Sequence, residues 1–271
     1  MSNKVLKPKK ASLYQFTQKY SNNIDNCIEF FKSMKWPEGF SCDRCGCHKY
    51  YLVKRVGKTK TSYVLECSSC HKQHSLLSGT IFQSCKLDLY KLLLGIFLFF
   101  NENKGISAID LCSILDVNYK TALLLENKCR ILMSLSNSDK LLNSLFYEAD
   151  VFNIGAKSKN KAGRASEQQP ILGILSTDKE NNYPRFIKLR VITDYTGLSL
   201  KKNIEKCCVL SHDALLNTDG EKGFNTLNEE IQVKNEKISY EEKDHRLLWL
   251  NIISGNIKNN ITGIYHGITK R

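Results

Sequence analysis

The spacing of apolar and polar residues divides the chain into regions of different predicted structure. Tyr50–Val53 and Ser62–Leu65 are short apolar runs on either side of a Gly57-Lys58 turn, which predicts a β-hairpin. From Lys86 to about Leu142 apolar residues recur every three or four positions, as on one face of a helix. The first half of the chain therefore combines a small β structure with a helical region.

The second half of the chain contains short runs that alternate apolar and polar residues, as strands do. The predicted strands are Phe146–Val151, Pro170–Leu175, Phe186–Ile192 and Ala214–Asn217, and the predicted helices lie near Leu198–Cys207 and from Arg246 to Gly267. Three strands followed by alternating helix and strand indicate an α/β domain. A chain of 271 residues is expected to form two or three such units.

Within the helical region, a short helix, a tight turn and a second helix follow one another. Ser107 is a suitable N-cap for a helix that ends at Leu115, Asp116–Asn118 form the turn, and Tyr119–Met133 form the next helix. This order resembles a helix-turn-helix, whose second helix would enter a DNA major groove. Its exposed residues would include Asn118, Lys120 and Thr121. A three-helix spacer that packs the β structure onto the following domain is an equally good interpretation.

Two pairs of cysteines have the spacing of a metal site. Cys42 and Cys45 form one Cys-x-x-Cys pair, Cys67 and Cys70 form the other, and 21 residues separate the pairs. Four thiolates so arranged can converge on one structural Zn²⁺ ion, and the hairpin between them completes a zinc ribbon. Other possible ligands lie nearby but break the symmetry of the two pairs: Cys47, His48, His71 and His74.

Charge and cysteine content narrow the functional classes. The net charge is +13, and residues 1–140 carry 21 Lys and Arg against 11 Asp and Glu. Attraction to nucleic-acid phosphates is therefore expected mainly from the first half. The eleven cysteines are an odd number, and no apolar signal region follows the N-terminal lysines, so a disulfide framework is not expected. The apolar stretch Leu92–Phe100 is too short to cross a bilayer, so a soluble, cytoplasmic protein is predicted.

Three polar residues stand where a divalent-metal site is expected. Asp150 ends the alternating run from Leu145, and Asp219 follows a second apolar run that closes in an Asp-Gly turn. Asn251 lies in the last predicted helix, seven residues before Lys258. A single Asp at a strand end more often forms a turn or caps a helix. The ordered set, after a ribbon and basic helices, instead favours a site that cuts and rejoins DNA.

Several motifs occur in the order that is found in one protein family. The cysteine pairs are followed by Gln73–Phe82, Glu148–Asp150 with Gly155–Lys157, Thr218–Gly220, and Lys258 with Gly263–Gly267. This series resembles the bacterial insertion-sequence transposases that have an N-terminal zinc ribbon and an ISXO-like DDE domain. The resemblance runs from about residue 20 to the end of the chain. It implies a ribonuclease-H-like α/β core for residues 145–271, with Asp150 on the first strand and Asp219 just beyond the fourth.

The resemblance also implies catalytic roles. Asp150 and Asp219 would be the metal-binding carboxylates, and Asn251 would occupy the third position, which is Glu, Asn or His in the family. In-line displacement at a phosphodiester uses two Mg²⁺ or Mn²⁺ ions about 4 Å apart, and Asp150 would contact both. An Asn offers these hard cations only a carbonyl oxygen. Alternative ligands are therefore the upstream acids Glu241, Glu242 and Asp244.

The implied substrate is double-stranded DNA, namely the terminal inverted repeats of the element and the target DNA, bound by a homo-oligomer. The predicted DNA-contacting residues are Lys157, Lys159, Lys161 and Arg164 in a loop, and Lys258 and His266 on the last helix. A loop of that composition is also what any exposed basic hairpin looks like. Such a protein would act in the cytoplasm, associated with the nucleoid through DNA.

The predicted domain plan is a basic segment at residues 1–24, a zinc-ribbon region at 25–84, a helical region at 85–143 and the core at 144–271. Three departures from the family are Val151, where Glu is usual, Gly155-Ala156, where a pair of glycines is usual, and an end at Arg271, before the further helix and basic tail that are usual there. The leading hypothesis is an active DNA transposase. The alternatives are an inactive, truncated or repurposed copy that only binds DNA, and a zinc-ribbon transcription regulator.

Overall fold

The computed structural model describes residues 11–57, 61–102, 105–138, 141–155, 168–178, 183–235 and 247–265. The chain divides into two compact units, Met1–Ser134 and Leu135–Arg271. Each unit has its own sheet and its own buried apolar cluster. No helix within the described ranges is long and apolar enough to span a membrane.

The first unit combines helices with one antiparallel sheet. Its elements are α1 (Leu13–Tyr20), α2 (Ile24–Lys35), β1 (Tyr50–Val56), β2 (Thr61–Cys67), β3 (Gln73–Ser75), α3 (Leu89–Asn101), α4 (Ala108–Leu115) and α5 (Tyr119–Ser138). Helix α5 ends four residues beyond the boundary of the unit at Ser134. Strand β2 is central, in the order β1-β2-β3. The pairing of β1 with β2 confirms the predicted hairpin, and β3 is a strand that the sequence pattern did not predict.

One apolar cluster joins this sheet to the helices around it. Leu65 of β2 is fully buried and belongs to the same cluster as Phe31 of α2, Phe82, Leu92 of α3 and Leu111 of α4. A sheet of three short strands buries little apolar surface by itself, so packing against helices stabilises it. The ribbon region and the helical region therefore share a single core.

The predicted helix, turn and helix of the first unit are present. Ser107 Oγ accepts a hydrogen bond from Asp110 N at 3.1 Å, which caps α4. Asp116 follows α4 in the left-handed conformation, with φ 49°. The side chain of Asn118 caps α5 by accepting a hydrogen bond from Thr121 N at 2.9 Å. Local hydrogen bonds therefore cap the start of the helix before the turn and the start of the helix after it.

The second unit is built on a five-stranded sheet. Its elements are β4 (Phe146–Ile154), β5 (Gln169–Asp178), β6 (Tyr183–Val191), α6 (Gly197–Glu205), β7 (Leu215–Thr218), a short 3-10 helix (Lys222–Leu227), β8 (Gln232–Asn235) and α7 (Leu248–Tyr265). The spatial order is β6-β5-β4-β7-β8. Strands β4, β5 and β6 are antiparallel, whereas β7 is parallel to β4 and β8 is parallel to β7. The four predicted strands are confirmed, and β8 was missed.

Strand β4 presents alternate side chains to the two faces of this sheet. Tyr147 belongs to the buried cluster that also contains Leu200 of α6. Glu148 and Phe152 lie on the opposite face, where both contact α7. Asp150 lies between them on that face. Helix α6 therefore covers one face of the sheet and α7 covers the other.

Helix α7 lies close to the sheet because β5 has a glycine at the point of contact. Gly173 is paired with Asp150 in the register of β4 and β5. A Cβ atom at Gly173 would lie 3.0 Å from Leu250 Cδ1 and 3.1 Å from Phe152 Cε1, closer than the optimal separation of two carbon atoms. A side chain at this position would force Leu250 of α7 or Phe152 to move by a few tenths of an ångström beside Asp150.

Candidate functional site

The two cysteine pairs converge at one point of the first unit. Cys42 Sγ lies 3.6 Å from Cys70 Sγ, and Cys45 Sγ lies 3.5 Å from Cys67 Sγ. All four sulfurs lie within 4.8 Å of one another. Four sulfurs placed tetrahedrally at about 2.3 Å from one ion would be about 3.8 Å apart. The donor set and its spacing therefore fit a structural zinc ion.

Each cysteine pair lies in a tight turn with a similar backbone. In the first turn, Gly46 N donates to Cys42 O at 2.8 Å, and Gly46 has φ 70°. In the second, His71 N donates to Cys67 O at 3.1 Å, and His71 has φ 57°. Glycine adopts this left-handed conformation without steric cost, and His is among the residues that tolerate it. The two equivalent turns bring their thiols to a common point.

The backbone around the first turn favours the thiolate, which is the form that binds a metal. Burial opposes ionisation of Cys42, but hydrogen bonds from the backbone N–H groups of Arg44 and Cys45 lower its pKa to about 6. A hydrogen bond with His74 acts in the same direction. Cys42 is therefore prepared to act as a charged ligand.

The alternative ligands near the ribbon differ in their surroundings. His48 Nδ1 lies 2.9 Å from Phe40 O, so that ring nitrogen is already engaged. His74 is buried, its Nδ1 lies 3.7 Å from Asp43 Oδ1, and its Nε2 has no hydrogen-bond partner among the described residues. Ligand atoms of Cys42, Asp43 and His74 also lie within 4.8 Å of one another. His74 was not predicted to be a zinc ligand because it breaks the symmetry of the two cysteine pairs. In the structure its imidazole lies where it can orient the Cys42 thiolate.

Asp150 lies on β4, the central strand of the second sheet. Its Oδ1 accepts a hydrogen bond from Val151 N at 2.7 Å. Burial raises the pKa of Asp150, the charges of Asp219 and Glu221 raise it further, and Lys258 lowers it. These three side chains are therefore close enough to shift its pKa. A divalent cation would offset the mutual repulsion of the carboxylates.

The parallel pairing of β4 with β7 brings the two predicted carboxylates together. Ala149 of β4 is paired with Thr218 of β7. Asp150 and Asp219 are the next residues along the two chains, and neighbouring strands lie about 4.8 Å apart. Two residues that are 69 positions apart in the sequence are therefore neighbours at one end of this strand pair.

Asn235 of β8 anchors the loop that carries Asp219 and Glu221. Thr218 Oγ1 donates to Asn235 Oδ1 at 2.8 Å, and Asn235 Nδ2 donates to Glu221 O at 2.9 Å. The same nitrogen donates to Asn225 Oδ1 at 2.7 Å. Both N–H donors of the amide are used, so the strand that the sequence did not predict positions the acidic loop.

Helix α7 places Lys258 beside Asp150. Lys258 Nζ lies 5.4 Å from the centre of the Phe152 ring. Lys258 and Asp150 line the same cavity of about 550 Å³, together with Thr262. Asn251 lies about two turns before Lys258 on this helix, but its side chain is exposed and does not line that cavity. Asp150, Asp219 and Lys258 therefore lie close together in the structure. Asn251 is connected to them only because it is on the same helix as Lys258.

Two further acidic residues lie near this site. Glu148 is buried, accepts a hydrogen bond from Leu250 N at 2.8 Å, and has a pKa that burial raises to about 7. Glu221 follows Asp219 by two residues, and its charge acts on Asp150. The motif that ends at Asp150 contains Glu148 but did not indicate a role for it. No pattern in the sequence marks Glu221, because only the folded loop brings it to the site.

Several predicted site residues fall outside the part of the chain that the structure describes. These are Lys157, Lys159, Lys161, Arg164 and His266, and the alternative ligands Glu241, Glu242 and Asp244. Among the described residues, groups of three or more Cys, His, Asp or Glu with ligand atoms within 4.8 Å occur only around the ribbon cysteines. Among the described residues, Asp150 and the acidic residues near it therefore do not form such a group of three.

Comparison with protein families gives a match in each unit. The family model of the transposase zinc-ribbon domain matches residues 23–73, which include the four clustered cysteines. The family model of the ISXO2-like transposase domain matches residues 145–271, which include Asp150, Asp219 and Asn251. A search of curated proteins found no match.

Proposed function

We propose that this chain, which belongs to the insertion-sequence transposases with an N-terminal zinc ribbon, binds the terminal inverted repeats of its element and catalyses metal-dependent DNA nicking and strand transfer. The observation that carries the proposal is the placement of Asp150 on β4 and of Asp219 directly after the neighbouring parallel strand β7, where their charges interact. Two adjacent carboxylates on a rigid sheet are suited to hold divalent cations at a reacting phosphodiester.

We infer a ribonuclease-H-like fold for residues 145–271. Counted from β4, the five strands lie in the order 3-2-1-4-5. The first three are antiparallel, and the last two continue the sheet parallel to the first. The position of Asp150 on the first strand and of Asp219 after the fourth is the arrangement that the resemblance implies, and it supports this assignment.

Asp150 and Asp219 would hold the catalytic ions, with Asn251 or an upstream acid as a further ligand. Bound Mg²⁺ or Mn²⁺ lowers the pKa of an attacking hydroxyl and stabilises the leaving oxygen. Ligands distributed over two ions about 4 Å apart need not lie as close together as the ligands of one ion. The described acidic residues around Asp150 do not form a group of three ligand atoms within 4.8 Å, and this is compatible with a two-ion site.

Lys258 would bind and orient the DNA backbone at this site. Its ammonium group is held near the Phe152 ring and lines the cavity next to Asp150. A positive charge in this place attracts a phosphate and directs the scissile bond toward the carboxylates. The basic residues Lys157, Lys159, Lys161 and Arg164 would contact the flanking DNA, which is a prediction from their charge. His266 would contact DNA near the scissile phosphate, as the resemblance implies.

The first unit would supply recognition of the repeat ends. It is strongly basic, and α4, the turn and α5 have the order of a helix-turn-helix. Asn118 and Lys120 are exposed and Thr121 is partly exposed, at the N-terminal end of the second helix, which is the end that contacts bases in such motifs. Zinc at the four cysteines would stabilise the ribbon beside them. We further propose that the protein acts as a homo-oligomer on DNA and that it is located with the chromosome in the cytoplasm.

A strand-transfer assay with the full chain tests this function. The donor is a labelled duplex that ends in one terminal inverted repeat of the element, and the target is a supercoiled plasmid with Mg²⁺ or Mn²⁺. We expect joined product from the wild type and a loss on the order of a thousand-fold or more with Asp150→Ala. Asp213→Ala removes an exposed carboxylate elsewhere in the same unit and should leave the activity unchanged.

Two outcomes would contradict different parts of the proposal. If the wild type binds the repeat but neither nicks nor joins it with either ion, the catalytic part is wrong, and DNA binding alone remains. If the wild type binds the repeat no more tightly than a scrambled duplex of equal length, the recognition part is wrong.

A further inference from the structure

A buried carboxylate connects the central strand of the second sheet to the last helix. Glu148 of β4 has only 4% of its surface exposed. Its Oε2 accepts a hydrogen bond from Leu250 N at 2.8 Å, across 102 positions of the chain. The backbone N–H of Trp249 also hydrogen-bonds this carboxylate. Glu148 therefore binds the first turn of α7 from outside the helix.

This contact has a specific physical basis. The first turn of a helix has backbone N–H groups without partners inside the helix. A carboxylate that accepts hydrogen bonds from them is also attracted by the positive end of the helix dipole. An apolar side chain would avoid the desolvation cost of a buried charge, so stability alone does not account for Glu148. What the carboxylate adds is a directional link between one strand and one helix turn.

A second contact lies on the other side of Asp150. Lys258 Nζ of α7 is 5.4 Å from the centre of the Phe152 ring of β4. From Leu250 to Lys258 the helix rises about 12 Å, and from Glu148 to Phe152 the strand rises about 13 Å. The helix and the strand therefore run side by side in the same direction, with Asp150 midway between their two contacts.

We propose that Glu148 is a positioning residue for the transposition reaction: it sets the axial position of α7 along β4, and so places Lys258 beside Asp150. The inference rests on the proposed function. Without the Glu148 link, the first turn of α7 keeps apolar contacts such as that of Leu250 with Gly173 but loses the directional bond that opposes a shift of the helix along the strand. A displacement of about 1 Å at a reacting centre is enough to lower a rate on the order of 100-fold.

Three variants of the full chain separate the hydrogen bond from the volume of the side chain. Glu148→Gln keeps an oxygen that can accept from Leu250 N, Glu148→Leu keeps a similar volume without an acceptor, and Glu148→Ala removes both. Ser254→Ala is the matched control. It removes a buried hydroxyl from the same helix, and that hydroxyl donates only within α7, to Asn251 O at 3.1 Å.

In the strand-transfer assay, we expect Glu148→Leu and Glu148→Ala to lower kcat by about 100-fold, with KM for the repeat DNA changed by less than about threefold. Glu148→Gln should stay within about tenfold of the wild type, because it can still accept the hydrogen bond. Ser254→Ala should stay within about twofold. Amide hydrogen exchange at residues 247–255 should accelerate in the Leu and Ala variants and not in the Gln variant.

The inference is overturned if folded Glu148→Leu keeps the wild-type kcat, or if Glu148→Gln is as impaired as Glu148→Leu. Equal exchange of the first turn of α7 in the wild type and in Glu148→Leu overturns it as well. If Glu148→Ala fails to fold, Glu148→Leu and Glu148→Gln still test the inference, because both keep a side-chain volume similar to that of Glu. An inactive wild type would contradict the proposed function, and the exchange measurement would still test the link.

Discussion

The ribbon cysteines and the carboxylates of the second unit are brought together in opposite ways. Cys42 and Cys70, the outermost of the four cysteines, are 28 positions apart, and each pair occupies a single tight turn. Asp150 and Asp219 are 69 positions apart, and Glu148, which links β4 to α7, contacts Leu250 across 102 positions. Two local turns and a hairpin are enough for the first cluster. The second requires a complete sheet with a helix on its face.

The two regions also differ in what stabilises them. The ribbon sheet is small, β3 has only three residues, and the buried side chains of the sheet depend on the surrounding helices for their apolar core. The second unit has five strands and a buried cluster that includes Leu172, Ile174 and Phe224. Small metal-binding folds depend on their ion, whereas a domain with a sizeable apolar core does not. We therefore expect the ribbon to need zinc for folding and the second unit to fold without its ions.

The largest expected effect tests that contrast at the ribbon. Cys45→Ser removes one of four zinc ligands, and zinc binding contributes on the order of 10 kcal/mol or more to the folding of comparable sites. We expect loss of zinc, unfolding of the ribbon and weaker DNA binding. Cys112→Ser is the control, because Cys112 Sγ contacts Val117 O at 2.8 Å and is not one of the clustered cysteines. Metal analysis of the intact protein measures the difference.

The two tryptophans allow the units to be followed separately. Trp36 lies 5.2 Å from Phe40 in the first unit, and Trp249 lies 6.1 Å from Tyr183 in the second, between ring centres. In a Trp36→Phe background, urea unfolding followed by Trp249 emission should be the same with and without Cys45→Ser. If Cys45→Ser abolishes the unfolding transition reported by Trp249, the second unit also depends on the zinc site, and the expected contrast between the units is wrong. Less than about half an equivalent of zinc in the intact wild type would contradict the zinc site itself.

A smaller effect is expected at the third metal position. Asn251→Ala should lower strand transfer on the order of 100-fold, because it removes an oxygen that would support the transition state through a metal. Asn251→Asp should keep or raise metal affinity, since hard cations prefer charged oxygen ligands. Rates measured across a series of Mg²⁺ and Mn²⁺ concentrations separate affinity from catalysis.

Asn256→Ala is the matched control for Asn251→Ala. Asn256 is exposed on the same helix, and its position in the helical repeat points away from the buried Leu250 and Ser254. It should behave as the wild type. If Asn251→Ala also behaves as the wild type while Asp244→Ala is inactive, the upstream acid is the third ligand, and the assignment of Asn251 is wrong.

The smallest expected effect concerns the basic segment at residues 157–164. Replacing Lys157, Lys159 and Lys161 together should flatten the slope of log affinity against log salt by about three, because each neutralised phosphate contributes about one. Preference for the repeat over a scrambled duplex should not change. Fluorescence anisotropy across a salt series measures both quantities. A changed preference with an unchanged slope would mean that the segment reads bases, and charge alone would then be the wrong basis for its assignment.

Prediction from the sequence succeeded for elements with a repeated short-range pattern. The hairpin, α4 with its Ser107 cap, the turn at Asp116 and four strands of the second sheet were predicted in this way. Strand β3 was missed because it has only three residues, and β8 was missed because Val233 is its one apolar residue, so neither shows a recognisable alternation. Their hydrogen bonds come from neighbouring strands, so their formation depends on the rest of the sheet.

The sequence by itself determined the local features: the spacing of the cysteine pairs, the helix caps and the alternation that places Asp150 on the same face as Glu148. These depend on residues within about four positions of one another, where backbone geometry leaves few choices. Only the tertiary structure decided that Asp219 stands beside Asp150, that Asn235 holds the acidic loop, and that Glu148 meets Leu250. Such contacts join distant parts of the chain, and they arise from strand register and helix packing, which depend on burial over the whole unit.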